Sequence, residues 1–280
     1  MAIFCRSCFG SIVSRRGLAR FSYLLTIAFL ILAITSWIEW RRDDAILERK
    51  AAEIVTGLTK PSERVAAINH WVYANQGFAK NQDYYLLKPL GPTPIQVMQS
   101  GGDCSDRSRL VSAMLARLGI ASWLVMLSEC TGCVPIHTVV EAEQEAGLVV
   151  ADPAWDIVYS AADGHYLSVN ELANTSQALE YVAALKQERG AAAKIAQMEE
   201  SNAKFDYAAT INWEKNFLSK AIAASLGMIG IDARSIHRPR LVEDPELLLA
   251  LAFSLLSIAT LLLGLVSGRK PQRQRMGVPP

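Results

Sequence analysis

An α+β domain set between two membrane-length apolar helices is the fold class that this sequence predicts, and three observations predict it. Phe21 to Ile38 is an 18-residue run without a charged side chain, and Leu247 to Ser267 is a second run of 21 residues. Between them helical periodicity comes first and short strand-like alternation follows, the order of an α+β layout. The stretch from Arg41 to Asp244 has the size of one domain and carries no repeat or low-complexity tract. With 51% apolar residues and a net charge of +1, composition alone fits either one soluble domain or a smaller domain with membrane segments. The distribution of the apolar residues favours the second.

Each run is long enough to cross a hydrocarbon core of roughly 30 Å at about 1.5 Å per helical residue. A core helix would carry polar residues along one face, and neither run has that periodicity. Arg6, Arg15, Arg16 and Arg20 precede the first run as in a secretory signal, but it ends in Ser36-Trp37-Ile38-Glu39-Trp40 with no small-x-small cleavage site. The expectation is an uncleaved anchor with Trp37 and Trp40 at the interface. Residues 1–20 hold four Arg and no acid, and residues 268–280 hold Arg269, Lys270, Arg273 and Arg275 and no acid. The positive-inside rule then predicts a two-pass protein of an inner (cell) membrane. Segments 1–20 and 268–280 are cytoplasmic tails, 21–40 and 246–267 are transmembrane helices, and 41–245 is an extracytoplasmic or periplasmic domain.

Within that domain helical pattern runs from Asp44 to Leu58 and from Pro61 to about Gln76, where Val65, Ile68 and Val72 recur at helical spacing. Thr93-Pro94 caps and opens a short helix to about Gln99. The next helix starts near Cys104 and stops at Gly119, with Leu110, Val111, Met114, Leu115 and Leu118 as its apolar stripe. Ser122–Leu127, Ile136–Ala142 and Leu148–Ala151 are strand candidates, and Tyr159 closes a fourth. Ser168-Val169-Asn170-Glu171 is a capping box. A helical extension over 168–226 follows, Ala/Glu/Lys-rich from Asn174 to about Asn202. Its last part, Glu214 to Ser225, either packs on the domain or lies on a membrane surface. His237-Arg238-Pro239-Arg240 is expected to make membrane-proximal contacts. Asp103, Asp106, Arg107 and Arg109 read as a solvated first turn, with support of the active-site loop as the alternative for Asp106.

Gly101-Gly102-Asp103-Cys104-Ser105-Asp106 places one cysteine at the junction of a glycine turn and a helix. The helix dipole and the unpaired N–H groups there favour thiolate over thiol, and the Cys104 N–H suits half of an oxyanion hole. A thiolate nucleophile needs a base, and the base needs an orienting acceptor. His137 opens the alternating stretch Ile136 to Glu141, and Asp152 follows Leu148-Val149-Val150-Ala151 and precedes Pro153. A hairpin turning at Gln144–Gly147 would put His137 and Asp152 on neighbouring strands, facing the helix of Cys104.

These residues resemble the transglutaminase-like superfamily, whose core pattern is a Gly-x-Cys helix, a strand opening with His and a strand ending in Asp-Pro. The resemblance covers roughly residues 61–160. Asp83-Tyr84-Tyr85, Pro92-Thr93-Pro94, the Gly101–Asp106 segment and Gly119-Ile120 are similar to bacterial transglutaminase-like cysteine peptidases. The resemblance implies a papain/transglutaminase-like core with Cys104, His137 and Asp152 as catalytic triad. It implies hydrolysis or transfer at an amide bond through a Cys thioester, a protein or peptide amide as substrate, and no cofactor. The sequence departs from the pattern after the histidine, where Thr138-Val139 stands in place of an aromatic. Gln99, Gln96 and Trp71 are the candidates for the second oxyanion donor.

Cys5 and Cys8 fall in the first tail, leaving Cys104, Cys130 and Cys133 outside, where disulfides persist. Cys130 and Cys133 are the disulfide candidate. The same pair with His137 also has zinc-like C-x2-C-x3-H spacing, but lacks a nearby fourth ligand, so no metal is expected. The expected partners are the membrane and components of an envelope assembly, with no nucleic acid. A scaffold or binding module in such an assembly, with a triad that no longer turns over, is the competing class.

Overall fold

The computed structural model describes residues 15–75, 77, 79–175, 178, 180–181, 183–185, 187–188, 204–213, 216–233 and 236–268. The elements in chain order are α1 (Arg15–Ile54), α2 (Pro61–Ala74), α3 (Pro94–Ser100), α4 (Cys104–Arg117), β1 (Ser122–Ser128), β2 (His137–Gln144), β3 (Gly147–Asp152), β4 (Ile157–Val158), α5 (Val169–Asn174), β5 (Lys204–Ala209), α6 (Phe217–Met228) and α7 (Pro245–Gly268). The chain divides into two units. One holds the described residues up to Trp40 and those from Glu246; the other is Arg41–Pro245.

In the first unit, α1 and α7 are both long and apolar enough to cross a membrane. Small and hydroxylated residues join them: the Thr26 and Thr260 hydroxyls lie 3.0 Å apart, and Ser257 Oγ donates to the Thr26 carbonyl at 3.2 Å. The rings of Phe29 and Phe253 stack 6.2 Å apart. Where the sequence suggests a helix over 21–40 and another from Asp44, α1 is continuous. Glu39-Trp40-Arg41-Arg42-Asp43 contains neither Gly nor Pro to end the first.

The second unit is α+β, with helices packed on a five-stranded antiparallel sheet of order β4-β3-β2-β1-β5. The β2–β3 hairpin turns through Glu145-Ala146, with Gln144 paired to Gly147. Strand alternation gives the sheet two faces. Val140 and Ala142 of β2 and Val149 and Ala151 of β3 join Val65, Ile68, Leu110, Val111, Met114 and Leu115 in one core. On the other face Val125, Leu127, Val139 and Val150 join Trp155, Tyr159, Leu167, Leu172 and Phe205 in a second core. Helix α4 serves both: its later turns lie in the first core, while Cys104 packs against the second.

Several sequence expectations change. The stretch 168–226 is not uniformly helical, because β5 pairs with the edge of β1 inside it. Residues 189–203 of the expected Ala/Glu/Lys-rich helix, and Cys5 and Cys8, lie outside the described residues. Asp106 and Arg107 are buried rather than solvated. Within the same unit, His237 stacks on Trp123 at 4.4 Å, Arg238 pairs with Glu243 at 2.7 Å, and Arg240 donates to the Ser112 carbonyl at 3.3 Å. The His237–Arg240 segment is therefore packed on the domain.

Candidate active site

The turn before Cys104 is held by two interlocked caps. Thr93 and Gln96 close a capping box on α3, which ends at Gly101 with φ +79°. Asp103 then caps α4, accepting from the N–H groups of Ser105 and Asp106 at 3.0 Å each, and Asp106 accepts back from the Asp103 N–H at 3.4 Å. These caps use the N–H groups flanking Cys104 and not that of Cys104 itself. Asn81 ties the turn down from outside, its amide donating to the Gly101 carbonyl at 2.7 Å and its N–H to Asp106 at 3.2 Å. Burial, helped by the charge of Asp103, raises the Asp106 carboxyl above its ordinary range. Gly102 has no alternative at its position, because a Cβ there would collide with Asp106 Cβ.

Arg107 is the residue that sequence reasoning misplaced most. Its guanidinium is buried, which lowers its pKa. Nε donates to the Gly102 carbonyl at 3.1 Å, and Nη1 lies 3.0 Å from the Tyr73 carbonyl and 3.4 Å from those of Val72 and Pro153. One side chain therefore joins the cysteine turn, the end of α2 and the turn after Asp152. A signal was present: Arg107 precedes Val111 by four and Met114 by seven, so it lies on the apolar stripe of α4.

His137 opens β2 opposite Leu127, and Asp152 ends β3 opposite Ile157. Both share the strand parity of Val139 and Val150, and so project on the second-core face. The body of α4 packs on the opposite face, and its first turn alone reaches them. Both side chains are fully buried, with His137 Nε2 donating to Asp152 Oδ2 at 2.7 Å. Asp152 is itself held, accepting from the Ala154 N–H at 3.0 Å and from the Tyr159 hydroxyl at 3.3 Å. Burial and the neighbouring Asp152 raise the Tyr159 phenol, keeping it a donor. Ser108, one turn after Cys104, donates to the Thr138 carbonyl at 3.0 Å and pins α4 to the start of β2.

The imidazole is thus oriented by its Nε2. Its buried Nδ1 has no hydrogen-bond partner among the described residues. Burial pulls the imidazolium pKa down, but the charge and hydrogen bond of Asp152, with a further contribution from Cys104, override this and raise it to about 9. Cys104 contributes to that rise through hydrogen bonding and through charge, although its contact with the ring stays outside ordinary hydrogen-bond geometry. Cys104 is half-buried and is a free thiol, whereas Cys130 and Cys133 form a disulfide in the exposed β1–β2 loop.

The structure brings Cys104, His137 and Asp152 together. Of the oxyanion candidates, the Gln96 amide is engaged with Thr93 and Tyr84, Gln99 is exposed at the end of α3, and Trp71 packs against the first core. None of the three has a hydrogen bond to Cys104 or His137 among the described residues. Trp155 has a buried Nε1 with no hydrogen-bond partner among the described residues, and its ring lies in the core that Cys104 touches. Asp103 and Ser105, the neighbours of Cys104, line an open cleft of about 290 Å³ with Asn81, Asp83, Pro92 and Arg109. Among the described residues no cluster of His, Cys, Asp or Glu is arranged to hold a metal. Comparison with family models, curated proteins and solved structures returns no match.

Proposed function

We propose that the chain is a membrane-anchored, transglutaminase-like thiol enzyme that hydrolyses or transfers at an amide bond through a Cys104 thioester. The observation that carries this reading is the buried His137–Asp152 pair at 2.7 Å, whose second ring nitrogen is unspent and electrostatically linked to Cys104 at a helix N-terminus. In that order of groups, Asp152 holds the imidazolium and the imidazolium stabilises the thiolate.

The thiolate attacks the amide carbon, and the carbonyl electrons move to oxygen, facing the Cys104 N–H. As the tetrahedral intermediate collapses, the C–N bond breaks and the imidazolium gives its proton to the leaving amine. The thioester is then attacked by water or by an acceptor amine, with neutral His137 taking the proton and Cys104 leaving as thiolate. Hydrolysis and acyl transfer differ only in that second nucleophile.

The cell envelope is the proposed location: α1 and α7 span the inner membrane, the Arg- and Lys-rich tails are cytoplasmic, and residues 41–245 are extracytoplasmic. The Cys130–Cys133 disulfide agrees with an oxidising compartment. An epoxide-bearing peptide amide tests the chemistry. It is expected to label Cys104 in the folded full chain and to leave both Cys104→Ala and heat-denatured protein unlabelled. Equal labelling of folded and denatured chains would reveal an ordinary thiol and favour a scaffold.

A further inference from the structure

Helix α6 has the composition of a core element and the exposure of a surface one. None of its residues is buried; Phe217 is 85% exposed, Met228 80% and Leu218 58%. At about 100° per residue, Phe217, Leu218, Ile222, Leu226 and Met228 fall within one half of the helix, together with Ala221 and Ser225. Ser219, Lys220, Ala223, Ala224 and Gly227 fill the other half, which holds Lys220 as the only charged residue of the helix. The apolar character continues past the C-terminus, where Ile229 is 70% exposed.

The base of this projection is fixed. Before it, Thr210 Oγ1 donates to the Ile236 carbonyl at 2.5 Å and Trp213 Nε1 to the Ala233 carbonyl at 3.0 Å, so entry and exit close on each other. Beyond the exit, His237 stacks on Trp123 of β1. The chain soon enters α7 at Pro245. A helix rich in exposed large apolar side chains, with one basic residue and a short connection to a membrane-length helix, suits a lipid interface.

We propose that α6 is an interfacial membrane helix, its Phe217–Leu218–Ile222–Leu226–Met228 half inserted at the headgroup–acyl boundary of a glycerophospholipid bilayer. This rests on the reading of α7 as a membrane span. In that arrangement the domain is held to the membrane at a third place besides its two anchors.

The test uses the full chain in vesicles of phosphatidylethanolamine and phosphatidylglycerol, with photo-reactive benzoyl-phenylalanine introduced singly at Phe217, Lys220 or Leu255 of α7. Irradiation is expected to attach one phospholipid at positions 217 and 255, seen as the added lipid mass, with the adduct lost at 220. Lipid at 255 but none at 217, or a cross-link from 217 to a second copy of the chain, would overturn the interfacial helix and leave the span intact. No lipid at 255 would remove the span and the inference together.

Discussion

Two loops of the domain each carry cysteine, and they are held by opposite means. The Gly101–Arg107 turn is buried and tied by side-chain hydrogen bonds from Asn81, Asp103, Asp106 and Arg107, so the Cys104 sulfur remains free. The Glu129–Ile136 loop is largely exposed and uses its two sulfurs as a clip. On the proposed function, the difference shows what a nucleophile requires of its surroundings. Its geometry has to be imposed by neighbours, because the reactive atom cannot also serve as the fastener.

If this contrast is right, damage concentrates in the first turn. Arg107→Met keeps much of the side-chain volume but leaves the Gly102, Tyr73 and Pro153 carbonyls without their donor in a buried site. A loss of about 3 kcal/mol is expected, with denaturant unfolding of the detergent-solubilised chain as the check. A change under about 0.5 kcal/mol, the usual range for surface substitutions, would mean that the turn is held by the backbone alone.

The His137–Asp152 pair gives the next effect, read through pH. The folded-state pKa of His137 is raised to about 9 from the usual 6.5, so its stabilisation is fully present below about 6.5 and is lost as pH rises through about 9. The shift corresponds to at most roughly 3 to 4 kcal/mol, since each unit is about 1.4 kcal/mol. Melting temperature should fall across that window in wild type and stay flatter in His137→Gln. A parallel decline in both would assign the effect to other groups.

The smallest effect belongs to the exposed loop. The Cys130–Cys133 bridge closes a very short loop, and loop-closure stabilisation is least for short loops, so Cys130→Ser/Cys133→Ser is expected to cost less than about 2 kcal/mol. Cys104 alkylation should be unchanged. A loss comparable to that of Arg107→Met would show that the loop, which leads into His137, helps to set the base.

Sequence carried the α+β order, the glycine turn before the Cys104 helix, and the hairpin between Gln144 and Gly147, because local turn chemistry and periodicity encode each of them. It did not carry what depends on distant packing. Arg107 looked solvated because a charged residue in a first helical turn normally is, whereas the carbonyls gathered from Gly102, α2 and the Pro153 turn make its burial tolerable. Strand β5 was missed because Lys204–Ala209 is short and sits at the sheet edge, with Phe205 its one buried side chain. The Tyr159 hydroxyl on Asp152 likewise needs the sheet in three dimensions.

The central claim is that His137, held by Asp152, activates Cys104, and alkylation of the folded full chain by iodoacetamide near neutral pH tests it most directly. Cys104 should react at least about tenfold more slowly in His137→Ala than in wild type, with Asp152→Asn between them, since the thiolate then lacks its oriented imidazolium. Equal rates in wild type and His137→Ala, both shown to be folded, would mean that the two residues are uncoupled and would contradict the account.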